Sequence, residues 1–260
     1  MVERAVLVTR PREQAAALCR LVQEAGFRAI AQPMIEIKPL SELGPRQLQM
    51  VMDLDHYQHV ILVSSNAVQW GMEWINQFWP QLPLGLEWYA IGKATAGKLS
   101  SYGVAVRQPE TEMNSEGLLA LTSLQAVADD RVLIIKGEGG RKQLSDVLSK
   151  RGARVEQLSV YRRVLPPISG TELTAVLNEN QFAAIVATSG EGLHNMLSLL
   201  SPGELQVLRG IPLIVPGQRV AELADDSGFR AVYTARNATD KAIIEALREC
   251  VGSEENGGQN

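Results

Sequence analysis

The sequence predicts an α/β protein of two similar lobes, each a parallel sheet with helices on both faces. Three observations carry that prediction. Short Val/Ile/Leu/Ala runs ending in small polar residues alternate with longer stretches of helical spacing, this plan recurs along the chain, and two of the strands are unusually long and flanked by prolines. Short apolar runs alternating with helices mark parallel strands buried on both sides.

Taken in order, strands are read at AVLVT (5–9), RAIAQPMIEI (28–37), VILVS (60–64), EWYAIG (87–92), VAVRQ (104–108), VLIIK (132–136), ARVEQLSVYRRV (153–164), AAIVATS (183–189), IPLIV (211–215) and AVYTA (231–235). Helices fill the intervals, for example REQAAALCRLVQEAG (12–26) and RKQLSDVLSKRG (141–152). Several close on a glycine (Gly26, Gly103, Gly152, Gly228), where a left-handed residue ends the last turn without steric cost. The stretch VGSEENGGQN (251–260) is polar and glycine-rich and reads as a disordered tail.

The recurrence is internal. LVTRPREQAAALCRLVQEAGFRAIAQPMIEI and LIIKGEGGRKQLSDVLSKRGARVEQLSVYRRV share a strand, a polar turn, a helix, a glycine and a long strand. VILVSSNAVQWGMEWI with WYAIGKATAGKLSSYGVAV parallels AIVATSGEGLHNMLSLL with LIVPGQRVAELADDSGFRAV. Short and long units therefore alternate, which implies two similar flavodoxin-like lobes. The long strands, with Pro33 and Pro39 at one and Pro166-Pro167 after the other, read as a two-stranded connector, leaving a cleft between the lobes for a ligand.

At 260 residues and 45% hydrophobic, the chain can bury a full core. A net charge of -4 argues against nucleic acid or a membrane surface as partner. Cys19 and Cys250 show no metal or disulfide spacing and read as thiols in a reducing compartment. The start MVERAVLVTR enters a strand at once, without a signal peptide's apolar core, and no run approaches the ~20 apolar residues of a membrane span. A cytoplasmic protein is expected.

In parallel sheets, ligands bind beyond the carboxyl ends of the strands. The residues there are Thr9-Arg10, Ser64-Ser65-Asn66, Gly92-Lys93-Ala94-Thr95, Lys136 to Arg141, Thr188-Ser189-Gly190, Pro216-Gly217-Gln218 and Arg236-Asn237. They are small, hydroxylic or basic, and each opens a helix whose free N–H groups suit an anion. Taken singly, each also reads as an ordinary helix cap; their shared chemistry in an acidic protein favours an anionic ligand.

Sharper motifs are absent. GEGGR lacks both the Walker register and GxGxxG, which disfavours a nucleotide-dependent transferase. TSGEG lacks the hydrolase elbow, and His56, His59 and His194 have no metal spacing and read as exposed or capping residues. Trp70, Trp74 and Trp79 follow helical spacing and read as packing. Tyr161, in the long strand, admits two readings: a packing tyrosine in the connector ladder, or a catalytic group.

LVTRP, ILVSSNAV, YAIGKATA, SEGLL, LIIKGEGGR, VYRR and TSGEGL, in this order from about residue 5 to 249, resemble the uroporphyrinogen-III synthase family. The resemblance implies a lyase of haem biosynthesis, a cytoplasmic monomer working without cofactor or metal. Its substrate would be hydroxymethylbilane, a linear tetrapyrrole with eight carboxylates, closed into a ring with inversion of the last pyrrole and loss of water. It implies one lobe from 1–37 with 167–250 and another from 38–166. An anion-binding metabolite sensor is the alternative from a different class. The family's glycine-threonine-alanine stretch, kept as GKATA (92–96), is missing from PGQRVAEL (216–223).

On that resemblance, the turn after LIIK cradles substrate carboxylates. Arg10, Ser64, Ser65, Asn66, Lys93, Thr95, Lys136, Gly137, Gly139, Arg141, Ser189 and Gly190 are the candidate substrate-binding residues. Tyr161 aligns with the family's tyrosine and is the candidate general acid, since a phenol, with an ordinary pKa of about 10, carries its proton at neutral pH.

Overall fold

The computed structural model describes residues 4–140 and 142–257. Its strands are β1 (Ala5–Val8), β2 (Arg28–Ala31), β3 (Glu36–Pro39), β4 (His59–Leu62), β5 (Glu87–Ala90), β6 (Val106–Arg107), β7 (Arg131–Gly137), β8 (Arg154–Val164), β9 (Phe182–Val186), β10 (Leu213–Val215) and β11 (Val232–Thr234). Its helices are α1 (Arg12–Glu24), α2 (Pro45–Met52), α3 (Ser65–Phe78), α4 (Lys93–Ser100), α5 (Ser115–Leu119), α6 (Gln143–Lys150), α7 (Gly170–Asn178), α8 (Gly190–Ser198), α9 (Pro202–Leu208), α10 (Gln218–Asp226) and α11 (Asp240–Gly257). The chain divides into two compact units, Met1–Glu36 with Val164–Asn260, and Ile37–Arg163.

The discontinuous unit holds a sheet of order β11-β10-β9-β1-β2 with parallel pairs throughout. Strand side chains alternate between its faces. Val6, Val8, Ala184 and Val186 pack on Leu18, Val22, Ile243 and Leu247 of α1 and α11. Leu7, Ile185 and Ala187 pack on Leu173, Leu193, Met196 and Val220 of α7, α8 and α10. Each fully buried Leu, Ile or Val of this kind stabilises the fold by roughly 1.5–3 kcal/mol.

The continuous unit holds a sheet of order β3-β8-β7-β4-β5-β6. The pairs β4/β5, β4/β7, β5/β6 and β7/β8 are parallel. Val60, Leu62, Leu133 and Ile135 face Val68, Trp70, Met72 and Ile75 of α3. Ile61, Tyr89, Val132 and Ile134 face Leu118 of α5 and Leu144 and Leu148 of α6. From β4 the chain moves to β5 and β6 on one side, then returns to β7 on the other. The strand order therefore switches between β4 and β7, which opens a crevice at their carboxyl ends.

Three elements depart from the sequence expectation. The single long strand expected at 28–37 is two, β2 in the first sheet and β3 in the second, neighbouring β8. Pro33 interrupts it by offering no N–H, and Met34, next along the chain, is fully buried in the core of the discontinuous unit. The strand expected at 104–108 pairs only over Val106–Arg107, at a sheet edge. The stretch read as a disordered tail is helical through residue 257, because buried Cys250 and part-buried Val251 anchor α11 and extending an existing helix is cheap.

Candidate active site

The crevice between β4 and β7 is built by a short chain of local causes. Val63 and Ser64 leave β4, and Ser64 takes an extended conformation to cap α3, its Oγ accepting from Ala67 N at 3.0 Å. Ser65 and Asn66 follow, half-buried, in the first turn. On the other side, β7 and β8 run in register until Lys136 faces Ser159 and Gly137 faces Tyr161, so Val160 is the extra residue of a bulge. Bulges re-aim side chains.

Here the bulge lays the Tyr161 ring over Gly137. A β-carbon at Gly137 would stand 2.4 Å from ring atom Cε2, so only glycine admits the ring. Trp70 packs on it with centroids 5.2 Å apart. Its hydroxyl lies 3.1 Å from Ser64 Oγ, and its carbonyl accepts from Glu138 N at 2.8 Å. The glycine turn then passes Gly139 and Gly140, both left-handed with φ of 68° and 81°, before α6.

Val63, Gly137, Gly139, Gly140 and Tyr161 wall a cavity of about 330 Å³ lined also by Ile91, Lys136, Gln157 and Arg163. Lys136 Nζ donates to Gln157 Oε1 at 3.1 Å. Burial, with the neighbouring charges of Arg163 and Lys142, pushes the Lys136 ammonium below its ordinary pKa. An anion beside this partly desolvated ammonium would offset that shift and favour its charged form.

The predicted site residues separate into three groups. Lys136, Gly137, Gly139 and Tyr161 line the cavity, and Ser64 reaches it through the Tyr161 hydroxyl. Lys93 and Thr95 sit in the first turn of α4, Lys93 exposed and Thr95 buried. In the discontinuous unit, Ser189 caps α8 through Gly192 N at 3.0 Å, and Gly190 opens that helix. Arg10 departs from its expected role: its buried guanidinium pairs with Asp240 and donates to the Ala238 carbonyl at 2.6 Å. The β1 tip thus holds the protein's own carboxylate. Arg141 lies outside the described residues. Of the expected cradle, the Glu138 N–H is already committed to Tyr161, and Gly137 serves to make room for the ring.

The sequence reading missed Gln157 and Arg163. Arg163 had a legible signal, since it lies two residues beyond Tyr161 on an extended strand and shares its side. Gln157, four residues before Tyr161, had the same signal, since even spacing along an extended strand also puts it on that side.

The amino ends of the same strands hold a separate polar layer. His59, expected to be exposed or capping, is buried between Tyr89 Oη and Asp130 Oδ2, each at 3.1 Å. Glu156 accepts from the Tyr57 hydroxyl at 2.7 Å and from the Arg131 guanidinium at 3.0 Å. Burial and the hydrogen bond to Glu156 raise the Tyr57 phenol far above its ordinary pKa. Burial pushes Glu156 upward, but hydrogen bonds from Tyr57 and Arg131 outweigh it and hold the carboxyl low. This layer lies at the end of the sheet opposite the cavity and ties strand starts together. Among the described residues, no cluster of His, Cys, Asp and Glu could hold a metal ion, and no helix is long and apolar enough to cross a membrane.

Fold and site together define a two-lobed α/β protein whose strand tips gather a phenol, an ammonium and a guanidinium around one cavity. The family model described as uroporphyrinogen-III synthase HemD matches residues 16–245. The chain belongs to the uroporphyrinogen-III synthase family. It is 32% identical over 248 residues to the uroporphyrinogen-III synthase of Escherichia coli (strain K12), covering 94% of this chain and 99% of that one. The enzyme of Chlorobaculum parvum is 24% identical, with the same coverage of each chain. Two solved structures share the fold. A mutant uroporphyrinogen III synthase from the extremely thermophilic bacterium Thermus thermophilus aligns with TM-score 0.64 at 15% identity, over 96% of this chain and 99% of that one. The Helicobacter pylori 26695 enzyme aligns with TM-score 0.62 at 15% identity, over 95% and 99%.

Proposed function

We propose that this chain closes hydroxymethylbilane into uroporphyrinogen III, inverting the last pyrrole and releasing water, and that the cavity at the β4/β7 tips takes part in that reaction. Family membership supports the activity over the alternative of an anion-binding sensor. The observation that carries the site is the Tyr161 hydroxyl at the wall of a cavity shared with Lys136 and Arg163.

In this reading Lys136 and Arg163 receive substrate carboxylates and Tyr161 protonates the hydroxyl of the first ring. The C–O bond then breaks with its electron pair leaving in water, and a cationic azafulvene remains. The substituted carbon of the last ring attacks that cation to give a spiro centre. Its older bond to the bridging methylene then breaks to leave a second azafulvene cation on the neighbouring ring. The unsubstituted α-carbon of the last ring captures that cation, shedding the proton that balances the one donated. The net change is loss of water without change of oxidation state, so the scheme requires no redox cofactor. The other strand-tip groups, Ser65, Asn66, Lys93, Thr95, Ser189 and Gly190, are proposed as further contacts to a substrate bearing eight carboxylates. A single cytoplasmic chain is the proposed working unit.

Tyr161→Phe tests the assignment. It removes one oxygen and leaves the ring's packing on Trp70 and Gly137, so the melting temperature should stay near the parent's. Turnover should fall by roughly 10²–10⁴, the span of a general acid. Substrate released unclosed cyclises unaided to the uninverted isomer, so the product should drift toward that isomer. A loss under about tenfold, ~1.4 kcal/mol of barrier, would remove Tyr161 as the principal acid.

A further inference from the structure

We propose that Ser64 is a positioning residue for the proton donor: its hydroxyl, held as the cap of α3, donates to the Tyr161 oxygen and so turns the phenol's own proton into the cavity. The inference rests on the reading of Tyr161 as the acid.

A serine hydroxyl has one proton and two lone pairs. Ser64 Oγ accepts from Ala67 N at 3.0 Å, which commits one lone pair and fixes the side chain. What remains faces Tyr161 Oη at 3.1 Å, and either oxygen could supply the proton between them. Two features favour Ser64 as donor. Its oxygen accepts from an N–H at the positive end of α3, which polarises the hydroxyl and strengthens it as a donor. The Tyr161 ring is also clamped by Gly137 and Trp70, so the phenol's freedom reduces to rotation about its C–O bond. A proton already supplied by Ser64 leaves the phenol's own proton directed at the cavity.

The contact gains strength during the reaction. When Tyr161 gives its proton to the departing hydroxyl, the phenol becomes a phenolate, and the Ser64 hydrogen bond becomes charge-assisted. An interaction stronger in the transition state than in the ground state raises kcat and leaves KM near its starting value. The proton returns to Tyr161 from the pyrrole carbon that loses one on ring closure, so the cycle balances without a further reactant.

The test separates this role from capping. Ser64→Ala removes both the cap and the hydroxyl. Ser64→Gly removes the hydroxyl at a site where glycine is a tolerated cap, and Ser64→Thr retains both. Each is measured alone and with Tyr161→Phe, for kcat, KM, isomer ratio and melting temperature on freshly made hydroxymethylbilane. Ser64→Gly should lower kcat about tenfold, the scale of one hydrogen bond, with KM and melting temperature near the parent's. Ser64→Thr should restore the rate, and in the Tyr161→Phe background Ser64→Gly should cause no further loss. Parent-like kcat in Ser64→Gly would overturn the proposal, as would an equal loss in both backgrounds. Parent-like kcat in Tyr161→Phe would instead sink the acid reading itself, and this inference with it.

Discussion

Gly137 and Tyr161 face each other across the bulge in β8, and the missing side chain of one is the space filled by the other. Gly137→Ala places a methyl into the ring, so either the phenol swings out or β7 and β8 separate. Overpacking of this kind costs roughly 1–3 kcal/mol, which denaturant titration would read as a lower midpoint. Because the phenol is displaced, kcat should fall well beyond what the fraction still folded explains. Parent-like turnover per folded molecule would show that the contact does not position Tyr161. The sequence pointed to both residues but misjudged one. Glycine after a strand reads equally as a turn, an anion cradle or a close approach, and only the bulge at Val160 selects the last. Arg10 shows the same ambiguity. A basic residue at a strand tip reads as a ligand contact until its partner is seen, and Asp240, which takes it up, lies far along the chain.

Elements were more legible than residues, because the alternation that buries Val6 and Val8 on one face and Leu7 on the other is written directly in the strand. What was lost lies at breaks, as at Pro33, and at sheet edges, as at β6, where pairing and not local pattern sets the length. Helix starts carry their own chemistry. Ser201 opens α9 with a capping box: Glu204 accepts from the Ser201 N–H at 2.7 Å and its hydroxyl at 2.6 Å, and from the Thr174 hydroxyl at 2.6 Å. The Ser201 and Thr174 hydroxyls, then the Ser201 N–H, pull the Glu204 carboxyl from 4.5 to about 2. The folded pKa lies below the unfolded one, so the cap's contribution is complete above about 4.5 and is lost as pH falls through about 2. Thermal melts of the parent and Glu204→Ala across that window should converge as the acid limb is descended. Curves that stay parallel throughout would contradict the cap's dependence on the ionised carboxylate.

At the scale of the molecule, the two sheets are one plan in two orders. β6-β5-β4-β7-β8 in the continuous unit answers β11-β10-β9-β1-β2 in the other. In the first the chain makes the β4–β6 block before β7 and β8; in the second β1 and β2 come first and the β9–β11 block follows. The internal repeats exposed this correspondence, because each repeat is a strand-turn-helix unit that keeps its hydrophobic pattern wherever it falls in the chain. They could not expose the cavity, which depends on a bulge, a glycine contact and side chains from β4, β5, β7 and β8 meeting at one switch point. The direct measurement is to incubate the purified chain with freshly made hydroxymethylbilane, stop the reaction at short times, oxidise the products and resolve the isomers. The inverted isomer III should be the dominant product, forming faster than unaided cyclisation. Isomer I alone, at the rate seen without protein, would contradict the proposed activity.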